Sequence, residues 1–196
     1  MRVYVDGQEL IELSGNTDPA FILETVKGKT SQDGRAIMEI QIDGITVDAD
    51  AFLNVSGGLD ARFVTRPMRE LVRESLAEAL KYVPRLKTGL EEIALHFEKN
   101  EIPDGQKKLA DAADGLDWVL AVFRDCGALL SIAKETGPGL DELKRSLADS
   151  VEAIGALHEK RQYLKMVSLI RRKLTPEIEN FRMHIQNLHD FASSTQ

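Results

Sequence analysis

Cysteine is almost missing from this sequence. Cys126 is the single one in 196 residues, so no disulfide can close within the chain, and a reducing compartment fits. Long apolar runs are missing too, since none approaches the roughly 18 residues a membrane span needs. The opening MRVYVDGQEL has no apolar signal core behind a basic start. Positive charge is short: 25 Lys and Arg face 32 Asp and Glu, a net of −7, which argues against a general nucleic-acid binder. What is present suffices for a core, with 43% hydrophobic and 29% charged residues. A cytoplasmic globular protein is expected.

Catalytic and metal-binding patterns are missing as well. Gly28-Lys29-Thr30 resembles the end of a phosphate loop, but that loop needs glycine where Leu23 stands. Gly57-Gly58 resembles a sulfur-carrier tail, yet 138 residues follow it, so a turn is the simpler reading. Three positions before His96, His158, His184 and His189 stand Ile93, Gly155, Phe181 and Gln186, so no Glu-x-x-His di-iron signature exists. Glu92 and His96 are four apart, a spacing common on helix surfaces. One cysteine cannot form the thiolate pairs of a structural zinc site. Cys126 falls between Phe123 and Leu130 in an apolar seam, where a thiol behaves as a small hydrophobe. No catalytic residue, metal or cofactor is assigned.

Residues 1 to about 66 read as β-rich. Val3 and Val5 alternate with Arg2 and Tyr4 before Asp6-Gly7, a hairpin signal. Leu10, Ile11 and Leu13 read as the returning strand. Thr17-Asp18-Pro19 opens a helix whose apolar stripe is Phe21, Ile22 and Val26, with Gly28 as its end. Ala36, Met38, Ile40 and Ile42 then alternate with Ile37, Glu39, Gln41 and Asp43, which predicts a strand with one buried face. Asp43-Gly44 turns into Ile45, Val47 and Ala49. After an irregular stretch from Asp48 to Gly58 comes an extended piece around Phe63 and Val64. Strand, strand, helix, strand, strand and a further strand resembles the β-grasp, or ubiquitin-like, fold.

From residue 67 the period changes. Val72, Leu76, Ala79, Val83, Leu86, Leu90, Ile93 and Phe97 step by four and three. Leu109, Ala112, Leu116, Val119, Phe123, Cys126, Leu130 and Ala133 follow the same rhythm. Such seams mark packed helices. Pro84 kinks the first helix without ending it, because the phase survives. Breaks are expected at Pro103, at Gly137-Pro138-Gly139 and at Pro176. Ser75-Leu76-Ala77 and Ser146-Leu147-Ala148 suggest a faint repeat of two αα-hairpins, with Pro103 and Pro176 each opening a second helix. The expected fold is α+β: a β-grasp domain over 1–66, then a four-helix bundle of two αα-hairpins over 67–196, kinked at Pro84. A β-grasp-like start joined to such hairpins resembles a bacterial family with no assigned activity, carried by Leu109–Val119 (LADAADGLDWV) and Tyr163–Phe181 (YLKMVSLIRRKLTPEIENF).

Charge gives the sharpest polar signal. Residues 1–65 carry five basic and eleven acidic residues, while 160–173 hold Lys160, Arg161, Lys165, Arg171, Arg172 and Lys173 with no acid. Tyr163, Val167, Ile170 and Leu174 keep an apolar seam through that run, so one basic amphipathic helix is expected. A solvated face, open to pairing with the chain's own acidic half, is the simpler reading. The sharper one is a docking face for an acidic protein, built on Arg161, Lys165 and Arg172 at i, i+4 and i+11 and flanked by Tyr163 and Leu164. The function expected is therefore a non-catalytic interaction or adaptor module of the bacterial cytoplasm, compatible with homo-oligomers and not with a membrane span. The rival readings are an enzyme with its site in the cleft between the halves, and a regulator laying the basic helix on nucleic acid.

Overall fold

The structure, a computed structural model, describes residues 1–13, 15–16, 18–130 and 140–194. The backbone divides into two compact units, Met1–Leu71 and Val72–Gln196. The protein is α+β: a mixed five-stranded sheet first, and a mostly helical remainder.

In the first unit β1 (Arg2–Val5) and β2 (Gln8–Glu9) form a hairpin. Asp6 and Gly7 both take positive φ, 48° and 83°, as a two-residue type I′ turn requires. The returning strand is shorter than expected. After Glu9 the chain turns through a 3-10 segment, Ile11–Leu13, which leaves Ile11 exposed and drops Leu13 into the core. Helix α1 (Pro19–Gln32) is capped by the Asp18 carboxylate, which accepts from the N–H of Ala20 and Phe21; Thr17 lies outside the described residues. The inward stripe is Ile22, Leu23, Val26 and Thr30, while Phe21 is exposed. Gly28 does not end the helix. The Thr30 hydroxyl donates to the Val26 carbonyl at 2.9 Å, and the chain leaves the helix at Gly34, whose φ is 65°.

Strands β3 (Arg35–Ile42) and β4 (Ile45–Val47) make the second hairpin through Asp43-Gly44. The alternation of β3 changes phase inside the strand. Ile37 pairs with Thr65 but Glu39 pairs with the adjacent Val64, so Met38 is the extra residue of a bulge. Ile37, Ile40 and Ile42 consequently face the core and Met38 faces out. The irregular stretch contains a short helix α2 (Ala49–Leu53), capped by Asp48 and burying Phe52. Strand β5 (Asp60–Pro67) enters the middle of the sheet, parallel to β1 and antiparallel to β3, giving the order β2-β1-β5-β3-β4. Asp6 fastens three strands at one end. Its carboxylate accepts from Thr65 N–H and Oγ1 at 2.7 and 2.6 Å, with Arg35 Nη2 at 3.2 Å. Burial pushes the Asp6 carboxyl up, but the Thr65 hydrogen bonds and Arg35 outweigh it and hold it below the usual aspartate range.

The second unit is built on four helical rods. Rod one is α3 (Met68–Glu98, shared at its start with the sheet unit) and rod two is α4 (Ile102–Leu129). Rod three is α5 (Leu140–Glu159). The fourth joins α6 (Tyr163–Leu169), a π-helical turn (Ile170–Leu174) and α7 (Thr175–Ser194) without interruption. Every residue of the first expected seam is buried, from Val72 to Phe97, and α3 continues through Pro84. In the second seam Leu116, Val119, Phe123 and Cys126 are buried, with Leu109, Ala112 and Leu130 packed at its edge. Ala133 and Gly137-Pro138-Gly139 lie outside the described residues.

Contacts fix the directions of the rods. Cys126 lies against Val72, the Tyr82 and Trp118 rings meet edge-on at 5.4 Å, and a Cβ on Gly105 would sit 3.1 Å from the Phe97 ring. The paired numbers run oppositely, so α3 and α4 are antiparallel. Gly115 is required there, because a Cβ on it would lie 2.1 Å from Tyr82 Oη. Phe97 stacks on Tyr163 at 4.9 Å and Lys87 pairs with Glu179, so the fourth rod runs antiparallel to α3.

One expectation fails in this unit and another weakens. Pro176 does not separate helices, and it lies in the first turn of α7 within the continuous rod. The break falls instead at Lys160–Gln162, where Arg161 has φ 54°. The repeat reading loses one of its marks, because Pro103 opens a rod whereas Pro176 lies inside one. Proline lacks the N–H that would bond the Arg172 carbonyl, and its ring crowds that carbonyl. The rod answers by widening one turn, in which Thr175 N–H bonds to the Ile170 carbonyl five residues back.

Candidate functional site

The basic run 160–173 spans a turn, α6 and part of the π-helical turn. It is not one helix. Lys160 and Arg161 belong to the turn between α5 and α6, so Arg161 does not share a helix face with Lys165 and Arg172. Tyr163 turns its ring toward α3. Its ring is partly buried and stacked on Phe97. Arg171 points away toward α3. Its guanidinium grips Glu91 (Nη2 to Oε1, 2.6 Å) and Glu98 (Nη2 to Oε2, 3.0 Å). Those hydrogen bonds, Glu91 first, push the Arg171 pKa further up, and the bond from Arg171 holds the Glu98 carboxyl below its usual range. Arg171 is therefore a clamp between rods, not a free cation.

Lys165 and Arg172 remain together. They are seven residues apart, two turns along the rod, and both line a surface trough of about 550 Å³ between α5 and the fourth rod. Its floor is Ala153, Ala156, Leu157 and Leu169, with Ser168 beside them. Small residues on α5 keep the floor low, and the long cationic stems of Lys165 and Arg172 wall the other side. Neither cation has an ion-pair partner among the described residues. Leu164, at 72% exposure, stands next to Lys165.

Lys173 closes one end of the trough, and sequence reasoning did not single out its partner. Lys173 Nζ lies 3.8 Å from Glu177, which is 8% exposed. Ser150 Oγ donates to Glu177 Oε2 at 2.7 Å, and Ser146 Oγ donates to Oε1. The buried carboxylate is thus hydrogen-bonded on both oxygens, as a charge in a helical core must be. The signal was available in the sequence: Ser146 and Ser150 are four apart on α5, beside the seam residue Leu147.

Glu92 pairs with Lys108 at 2.6 Å and His96 with Glu101 at 2.7 Å, so the Glu92–His96 pair is not formed. Trp118 sits at the rim against Tyr82. No group of three or more His, Cys, Asp or Glu among the described residues is arranged to hold a metal ion, and no described helix is long and apolar enough to cross a membrane. Cys126 is 4% exposed, its Sγ 3.9 Å from the Val72 carbonyl. Burial pushes the thiol up to about 11, which removes the thiolate at neutral pH. Cys126→Ala is expected to cost about 1 kcal/mol in chemical denaturation, the loss of a small buried group. The native thiol should resist a thiol reagent at neutral pH, and rapid labelling would show instead that it is accessible.

No curated protein matches the chain, and no solved structure does. Residues 74–184 match the model of a family described as a domain of unknown function, DUF8042. That segment holds both Leu109–Val119 and Tyr163–Phe181, the stretches that carried the resemblance to an unassigned family. It covers more than half of the 196 residues, and the chain belongs to that family.

Proposed function

We propose that this protein is a non-catalytic interaction module, an adaptor of the bacterial cytoplasm, that receives an acidic amphipathic segment of a partner protein in the α5–α6 trough. The observation that carries the reading is the pairing of Lys165 and Arg172, without acidic partners among the described residues, along a floor of Ala153, Ala156, Leu157 and Leu169. A segment with apolar residues on one side and carboxylates along its edge complements both features. Leu164 adds exposed apolar surface beside Lys165. Charge of this kind accelerates encounter and selects partners more than it deepens affinity. The assignment goes with two domains, 1–66 and 67–196, the second a four-helix bundle of two αα-hairpins bent at Pro84. The order β2-β1-β5-β3-β4, with β1 parallel to β5 and α1 between two hairpins, supports a β-grasp reading of the first.

A designed helical peptide of alternating Leu and Glu faces is a direct probe, followed by fluorescence anisotropy on the full chain. Binding should weaken as salt rises, because exposed charges are screened over about 8–10 Å near physiological ionic strength. The double substitution Lys165→Glu and Arg172→Glu should leave the melting curve in place, since both side chains are exposed. It should weaken the peptide by about tenfold or more, about 1.4 kcal/mol. Lys107→Glu, an exposed change on α4, serves as the charge control. Equal affinity for the double variant and the control would remove the trough as the docking site.

A further inference from the structure

The helical unit also has a half-open apolar pocket that the trough does not use. We infer that it is a binding site for a small hydrophobic amine, of the size of one aromatic ring with a short side chain. The cavity holds about 210 Å³ between α3, α4, α5 and the fourth rod. Its walls are Leu86, Leu90, Leu109, Leu116, Ile154 and Ile178. The described residues leave no buried side-chain nitrogen or oxygen without a hydrogen-bond partner, so nothing in this wall asks for water. Cavities lined by Leu and Ile stay dry and take up apolar molecules, and about 150 Å³ is enough for benzene.

Two small residues hold the space open. Ala112 lies in the α4 seam where larger side chains would pack inward. Gly155 sits within α5, where glycine is disfavoured relative to alanine, and a Cβ built on it meets nothing within 4 Å. Both line the cavity. Filling either position would close it.

The polar end of the ligand follows from the mouth. Asp117 is the one charged residue that lines the cavity, and it also lines the wider surface trough outside. It has no hydrogen-bond or ion-pair partner among the described residues. The other charges of that outer trough stand away from the inner wall. Arg124 is paired with Asp125 at 2.9 Å, Lys144 lies 5.7 Å from the centre of the Phe123 ring, and Glu152 lines only the outer part. Asp117 is exposed at the mouth, so it attracts a cation there with a pull partly screened by solvent. A carboxylate on the same apolar body would meet repulsion there.

Phenethylamine and 3-phenylpropionate, similar in size and opposite in charge, test this on the full chain by nitrogen–proton NMR. The expected result is saturable shifts at the amides of Leu116 and Ile154, with the amine binding about tenfold more tightly than the acid, a modest yield for one ionic contact at a partly screened site. Asp117→Asn should bring the two ligands close to equal affinity while leaving both bound. Gly155→Leu should abolish the shifts from both, and Ala112→Leu provides a second filled cavity should the first variant fold poorly. Absence of saturable shifts in the unmodified protein would overturn the inference. So would equal or tighter binding of the acid, or amine binding that survives in a folded filled variant.

Discussion

Replacing Phe181 by alanine is expected to cost the helical unit about 3–5 kcal/mol, the usual range for deleting a fully buried aromatic ring. Phe181 is 1% exposed on α7, and its ring meets Phe123 of α4 at 4.9 Å with the planes 62° apart. The contact ties the fourth rod to α4, so the loss is both of buried area and of an edge-to-face pair. Natural domains keep only about 5–15 kcal/mol of net stability, so this one change removes a large share. Denaturant unfolding followed by helical circular dichroism should show a lower midpoint with an unchanged slope. Leu164→Ala, on the same rod but 72% exposed, should stay within about 0.5 kcal/mol. A Phe181→Ala variant as stable as the Leu164 variant would show that this ring is not a core element.

The helical unit was largely legible because its seams repeat over many turns, and the two misreadings have visible causes. Continuing the α5 seam by its own rhythm from Leu140, Leu143, Leu147, Ser150, Ile154 and Leu157 reaches Arg161, a residue that cannot be buried unpaired. The helix therefore has to end there, and Arg161 takes the left-handed turn instead. The next seam runs Tyr163, Val167, Ile170, Leu174, Ile178, Phe181, Ile185, Leu188 and passes through Pro176 without a shift of face. Its one irregularity is the double step of four from Ile170 to Ile178. That is one residue more than a regular helix absorbs, and the π turn takes it up. The phase argument that kept Pro84 inside α3 applies equally to Pro176.

The sheet unit was legible where a residue type forces a backbone conformation, and obscure where only packing decides. Asp6-Gly7 and Asp43-Gly44 could be read because their turns need positive φ. The bulge at Met38 could not, since Met and Ile are equally apolar and only the pairing with β5 shows which one is extra. Helix α2 is five residues long, too short for any period to register. The candidate site shows the same division. Composition announced six basic residues in fourteen. Which of them are free depended on tertiary partners: Glu91 and Glu98, 80 and 73 residues away in sequence, take Arg171 out of the count, and the buried Glu177 takes Lys173.

Phe63→Ala should be as costly to the sheet unit, about 3–5 kcal/mol, and proportionately more damaging. Phe63 is 1% exposed on the central strand β5, and its ring meets Phe52 of α2 edge-on at 5.4 Å. Among the described residues nine buried apolar side chains form this core, against twenty-five in the helical unit. A small core has little to spare, so removing one of its two buried aromatic rings should bring the sheet unit close to its unfolding limit. Hydrogen exchange by NMR separates local from global consequences. If the proposed domains are independent, amides of β1, β3 and β5 lose protection while those of α4, α5 and α7 keep theirs. The Phe181→Ala variant should give the opposite pattern. If Phe63→Ala strips protection from both sets alike, the two units fold as one, and the division near residue 66 is wrong.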